Sequence, residues 1–174
     1  PAFAYEVATI VQAGLHRMYG PDTPPEDRDV FYYLTLYNEN YPMPPIPDEP
    51  GIEEGIVRGL YRWAESPAGT NARATLLFSG SANGAARQAA ADLAEHFGVG
   101  AELWSATSYK RLREEALEVE RWNRLHPTKS PRTPLVAQLL SEGRRLLAEM
   151  EAVAHRVRRV AGGWETQLTI AMDG

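Results

Sequence analysis

The amino-acid sequence predicts an α/β fold with a parallel βαβ unit, followed by a long heptad-patterned helix and a terminal strand. Three observations carry that reading. The stretches "ATLLFSG", "SANGAARQAAADLAEHFG" and "GAELWSATS" follow one another as a short buried strand, a helix closed by Gly98 and a second strand. The run at 30–36 is almost continuously apolar and aromatic, as a strand covered on both faces should be. Beyond residue 138, apolar residues step by four and three along a single stripe.

Each element has its own signal. Residues 4–19 place Ala4, Val7, Ala8, Val11, Leu15 and Met18 on one face, an amphipathic helix ended by Gly20 and Pro21. A polar loop rich in Pro and Asp leads to the strand at 30–36. An arm with prolines at 42, 44, 45, 47 and 50 follows. The sequence "IEEGIVRGLYRWAES" then reads as a helix, with Ile52, Ile56, Leu60 and Trp63 on one side and Gly55 and Gly59 weakening it. Within the βαβ unit the crossover should be right-handed and the strands parallel. A charged helix, "YKRLREEALEVERWNRLHP", is stopped by Pro127, and a loop through Pro131 and Pro134 opens the last helix. There Leu139, Gly143, Leu146, Met150, Val153, Val157 and Val160 keep the a/d spacing of a coiled coil, a seam suited to dimerisation. Gly162 and Gly163 end that helix, and "WETQLTIAMDG" reads as a strand.

Composition bounds the function. The 174 residues suffice for one domain with a core or for two small lobes. No cysteine is present, so a disulfide framework and a thiolate metal site are both excluded. The apolar runs are too short to span a bilayer, and the first twenty residues lack the pattern of a signal peptide, so a soluble cytoplasmic protein with no membrane partner is expected. The chain opens on Pro1 rather than Met, which suggests a fragment. Residues 129–162 are net basic while residues 1–128 are net acidic, and the basic stretch is too sparse for a nucleic-acid surface.

Few side chains suggest chemistry. Asn38, Glu39, Asn40 and Tyr41 lie just beyond the carboxyl end of the strand at 30–36, where open α/β sheets place ligands. Two readings stand there: binding of a substrate or partner, or side chains that fix the proline arm by bonding its backbone. The turn "FSGSANG" could present amides to an anion at the helix start, although a turn capped by Ser81 or Asn83 fits better. It matches neither the dinucleotide fingerprint nor a P-loop. Among four histidines, His126 in "RWNRLHP" is the one of interest, at a helix exit where a structural hydrogen bond outweighs catalysis. No nucleophile, base and orienter set is found, so no catalytic residue and no metal ligand is assigned.

The motifs "PAFAYEVATIVQAGLHRMYG", "VFYYLTLYNENYPMP", "EEGIVRGLYR", "SGSANGAARQAAADLAEHFGVGAELWSATSYKRLRE" and "ERWNRLHP…PRTPLVAQLL" occur in order and together resemble the homodimeric bacterial pyruvate dehydrogenases over residues 1–140. The resemblance implies a fragment of a transketolase-like, thiamine-diphosphate-dependent oxidoreductase. In that family the cofactor is bound through Mg²⁺, pyruvate is oxidatively decarboxylated, and the acetyl group passes to the lipoyl groups of an acetyltransferase component. It implies residues 1–41 as the end of a pyrimidine-binding domain and 42–73 as a proline-rich interdomain arm and helix. Residues 74–140 become the start of a C-terminal domain. The family's Gly-Asp-Gly cofactor motif is missing from this sequence, so the resemblance implies no thiamine diphosphate on this chain alone. Residues 141–174, "SEGRRLLAEMEAVAHRVRRVAGGWETQLTIAMDG", resemble instead the linker helix and first effector-domain strand of LysR-type transcriptional regulators, in which that helix pairs two subunits. An inactive enzyme fragment is therefore expected, with a dimerising interaction module as the alternative.

Overall fold

The computed structural model describes residues 1–70 and 72–140. Its centre is β3 (Val99–Ala106), flanked by β1 (Leu60–Ala64) and β2 (Ala72–Phe78), so the sheet order is β1-β3-β2. β2 pairs parallel with β3, with Leu76 opposite Leu103 and Phe78 opposite Ser105, and α1 (Asn83–Phe97) joins the two strands. β1 runs antiparallel to β3, with Leu60 opposite Ala106 and Arg62 opposite Trp104. The sheet is therefore mixed. The remaining helices are taken in chain order around it: αN (Ala4–Tyr19), a short turn Pro25–Arg28, αA (Ile52–Arg58), α2 (Tyr109–Leu125) and α3 (Leu135–Leu139).

Strand alternation sorts the core into two layers. Leu60, Trp104 and Ala106 point to one face and pack with Leu112 of α2 and Leu135 of α3. Phe78 and Leu103 point to the other face, where Ala2 and Phe3 join them beside Ala86 and Ala90 of α1. On that face Phe3 stacks on Tyr5 and Trp63 at 5.5 and 5.7 Å between centroids and meets Phe78 edge-on at 6.1 Å. The beginning of the chain is thus inside the core of the sheet. Burial of Phe3, Phe78 and their neighbours contributes about 1.5–3 kcal/mol per large side chain.

A buried carboxylate ties this together. Glu6, in the first turn of αN, is fully buried. Its Oε1 accepts from the Tyr61 hydroxyl at 2.7 Å and the Ser105 hydroxyl at 2.6 Å. Its Oε2 accepts from the Phe3 amide at 3.2 Å and from the Ala2 amide. With the Tyr61 proton committed to Glu6, Tyr5 donates its own hydroxyl to Tyr61 at 2.6 Å. One side chain therefore closes the helix start and bonds it to β1 and β3 at once.

Three expectations from the sequence are corrected. The run at 30–36 is not a strand: it has no ladder partner among the described residues, and Phe31 and Tyr33 are 90% and 86% exposed. Strand propensity is realised only by pairing and two-sided cover; here Tyr32 lies against Gly14 of αN, and Val30 and Leu34 are only partly buried. The segment 52–66 is not one helix either. Gly59 adopts φ 110° and its amide caps αA onto the Gly55 carbonyl, after which the chain reverses into β1. Finally, αN buries Glu6 and Gly14 rather than the predicted apolar stripe, leaving Val11 and Leu15 exposed. The fixed orientation of Glu6 and Phe3 toward the sheet rotates that stripe outward.

The helix α2 and the strand–helix–strand segment lie where the periodicity put them. The seam residues Gly143, Leu146, Met150, Val153, Val157 and Val160, and the terminal strand, lie outside the described residues. Leu139, the first of the seam, ends α3 and is partly exposed.

Replacing Glu6 by Ala strands two hydroxyls and two amides at about 1–3 kcal/mol for each buried group left unpaired. Urea unfolding of E6A is expected to show a loss of at least about 3 kcal/mol. A loss below about 1 kcal/mol contradicts the role assigned to this carboxylate. Burial pushes the Tyr5 hydroxyl up to about 12, with a smaller contribution from the charge of Glu6, and drives Tyr61 upward for the same first reason. Both phenols are raised in the folded state, so their contribution is complete below pH ~10, the unfolded value, and is lost as pH rises toward 12. Stability measured from pH 9 to 12 should fall across that window, and the fall should flatten in a Tyr5→Phe, Tyr61→Phe double variant.

Candidate functional site

The candidate residues 38–41 reach the sheet at the carboxyl end of β2. Phe78 ends that strand, and Gly80 begins a single 3-10 turn, Gly80–Ala82, that feeds α1. Gly80 has φ 55°, and a Cβ there would sit 2.5 Å from the Tyr37 ring. Only glycine lets that ring lie on the turn. Four residues on, the Tyr41 hydroxyl donates to the Ala2 carbonyl at 2.5 Å, and its ring packs beside the Phe3–Phe78 cluster. Burial raises the Tyr41 hydroxyl above its ordinary value, with the charges of Glu6 and Glu39 adding to it. Tyr37 and Tyr41 are thus the two fixed points of the segment.

Asn38, Glu39 and Asn40 lie between those points and are exposed. None makes a side-chain hydrogen bond to the proline arm among the described residues, so they do not fix the arm through its backbone. Tyr41, just before the arm, is anchored to Ala2, and Glu49 near the arm's end reaches Arg62 at 3.7 Å. The turn is organised by Asn83, which is buried and donates to the Gly80 carbonyl at 3.3 Å. Neither Ser81 nor Asn83 caps α1: its cap position is Ala82, with no side-chain bond. The expected cap is replaced by the turn of 3-10 helix that precedes α1.

His126 belongs to a different place. It terminates α2, donates through Nδ1 to the Trp122 carbonyl at 2.8 Å, and stacks on the Trp122 ring at 4.5 Å. The Arg132 guanidinium lies 3.9 Å from the centroid of the same ring, and Asn123 exchanges two bonds with the Arg132 backbone. This assembly holds the loop after α2, which is the structural role the sequence favoured for His126. No described contact joins it to Asn38–Tyr41.

Sequence reasoning missed Glu6, Tyr5, Tyr61 and Ser105, the best-connected polar group in the fold. A carboxylate at the third position of a helix is a recognised partner of the cap amide, and that was the available signal. Among the described residues, no group of three or more His, Cys, Asp or Glu could hold a metal ion, and no helix is long and apolar enough to cross a membrane.

The architecture is that of an α/β lobe whose polar centre is structural and whose aromatic segment at 31–37 faces outward. Comparison with known proteins gives it a family context. Residues 1–44 match the family model of the pyruvate dehydrogenase E1 component middle domain. The chain is 44% identical over 142 residues to the pyruvate dehydrogenase E1 component of Escherichia coli K12, covering 82% of this chain and 15% of that protein. The Pseudomonas aeruginosa protein of the same name is 41% identical over 145 residues, 83% of this chain and 16% of its own. The Mycolicibacterium smegmatis one is 38% identical over 178 residues, all of this chain and 18% of its own. The chain thus resembles a fragment of the pyruvate dehydrogenase E1 component and spans less than a fifth of the length of these relatives.

Placing Ala at position 80 should break the contact with Tyr37. G80A is expected to lose about 1–3 kcal/mol, from positive φ and the clash together. A Tyr37→Ala, G80A double-mutant cycle should then show a coupling of at least about 0.5 kcal/mol, and additivity within about 0.3 kcal/mol contradicts the contact.

Proposed function

We propose that this chain is a structural portion of a thiamine-diphosphate-dependent pyruvate dehydrogenase and has no catalytic activity by itself. The observation that carries the reading is the segment 30–37, strand-like in composition yet exposed and unpaired among the described residues. Such a surface fits a chain whose neighbouring strands come from the rest of a larger protein. On this reading residues 1–41 end the pyrimidine-binding domain and 42–73 form the arm and the αA–β1 turn. Residues 74–140 open a transketolase-like C-terminal domain. The match of the middle-domain family to residues 1–44 supports the first of these boundaries.

In the whole enzyme, thiamine diphosphate and Mg²⁺ supply the decarboxylating chemistry and the acetyltransferase component takes the acetyl group. This chain does not fit that cofactor: its sequence has no Gly-Asp-Gly, and the carboxylate buried in its core, Glu6, is fully engaged by donors of the fold. A cytoplasmic location follows from the enzyme reading. Residues 141–174 carry two competing proposals. Alignment of the mycobacterial relative with all of the chain supports more of the same enzyme there. The a/d seam supports a LysR-like helix at 136–161 that pairs two copies.

Incubation with pyruvate, thiamine diphosphate, Mg²⁺ and an artificial electron acceptor should give no turnover above a no-protein control. Detectable decarboxylation sinks the proposal. Light scattering after size exclusion separates the two readings of the last segment. A dimer that becomes a monomer in a Leu146→Asp, Val153→Asp variant supports the pairing helix. An unchanged mass in the variant contradicts it.

A further inference from the structure

We propose that the free edge of β2 is the docking site for residues 164–172 of this same chain, which add there as a parallel strand. β2 lies at one margin of the sheet, and its ladder goes to β3 alone. Among the described residues no other backbone hydrogen bond reaches it. Its outer side therefore presents unpaired amides and carbonyls, the usual template for a further strand. β1 forms the other margin, but its ladder is irregular between Arg62 and Ala64, and such irregularity blunts an edge. β2 has neither a proline nor a break in its register. Ala74, Leu76 and Phe78 all pack on the side of α1, yet Leu76 is only partly buried between two buried neighbours. An open flank accounts for that.

Pattern, charge and reach identify the occupant. The stretch WETQLTIAM at 164–172 alternates as β2 does, with Leu168, Ile170 and Met172 on one side. In a parallel register that sets Leu168 beside Leu76, Ile170 falls beside Phe78 and extends the face covered by α1. Glu165 and Gln167 then fall beside Arg73 and Thr75 on the opposite face. That face is polar here, since the Thr75 hydroxyl donates to Glu102 at 2.8 Å. Arg73 is exposed and has no ion pair among the described residues, so Glu165 supplies the missing charge. Leu140, where the described chain ends, packs on the face of α2 and α3, opposite α1. Returning along that face to the far side of β2 reverses both direction and face relative to the β2–α1–β3 connection. The hand is therefore the same. At ~1.5 Å per residue, a helix over 141–162 spans about 30 Å, enough to pass back along a strand of roughly 20 Å. The assignment does not rest on the enzyme reading.

The test is amide hydrogen exchange, followed by NMR on the full chain labelled with ¹⁵N. The alternate amides of β2 that point away from β3 are expected to be protected. A full-length Leu168→Pro, Thr169→Pro variant removes two adjacent amides, one of which faces β2. It should speed exchange of the outward β2 amides at least about tenfold and that of β1 and β3 less than about twofold. Arg73→Glu and Glu165→Arg should each speed it about 2- to 5-fold, and the double reversal should restore it. Exchange of the outward β2 amides as fast as in exposed loops overturns the proposal. So does an unchanged rate in the proline variant, a speeding shared equally by all three strands, or a double reversal without recovery. Protection that rises with protein concentration assigns the edge to a second copy and overturns it as well.

Discussion

The fold depends on one buried carboxylate accepting from the start of the chain and from two strands. Ionised groups are rarely found inside a protein unless their hydrogen bonds are satisfied there. Glu6 meets that condition with backbone amides on one oxygen and the Tyr61 and Ser105 hydroxyls on the other. Its partners lie 55 and 99 positions away in sequence, so this contact brings αN onto a sheet made by a later part of the chain. Phe3, three residues before Glu6, is carried into the aromatic cluster with Trp63 and Phe78 by the same turn. Packing and polar pairing therefore enforce a single placement of the N-terminal segment.

That placement has a consequence for the surface. With Glu6 and Phe3 turned toward the sheet, Val11 and Leu15 are left exposed. Glu6, Tyr61, Ser105 and Tyr5 are engaged with one another at the centre of the lobe. The chain is similar to only a small part of the pyruvate dehydrogenase E1 component, 15–18% of the length of those relatives. Tyr37 and Tyr41 matter in this setting as anchors that bring the segment 38–41 to the end of β2. Asn38, Glu39 and Asn40 are presented there without being bound.

The sequence was most legible where the determinants are local. Alternation and caps are sufficient for β2, α1 and β3, since Gly98 in the left-handed region closes α1 by a bond to the Ala94 carbonyl. The same holds for α2, opened by the Ser108 side chain on the Arg111 amide. Legibility failed at Leu60 and Trp63, whose helical spacing to Ile56 was coincidental once Gly59 reversed the chain. At 30–36 it failed for the opposite reason: local propensity was read correctly, and the partners that would realise it are absent among the described residues. His126 was readable as a structural bond because its acceptor is four residues away. Glu6 was not, because its meaning lies in hydroxyls far along the chain.

Native-state hydrogen exchange on the full chain tests the central claim most directly. If Glu6 couples the N-terminal turn to the sheet, the protected amides of the first turn of αN and those of β1 and β3 open together. Their opening free energies should agree within about 1 kcal/mol across a denaturant series. Exchange of the αN turn several kcal/mol more easily than the strands would mean that the helix is a separate unit lying on the sheet, contrary to this account.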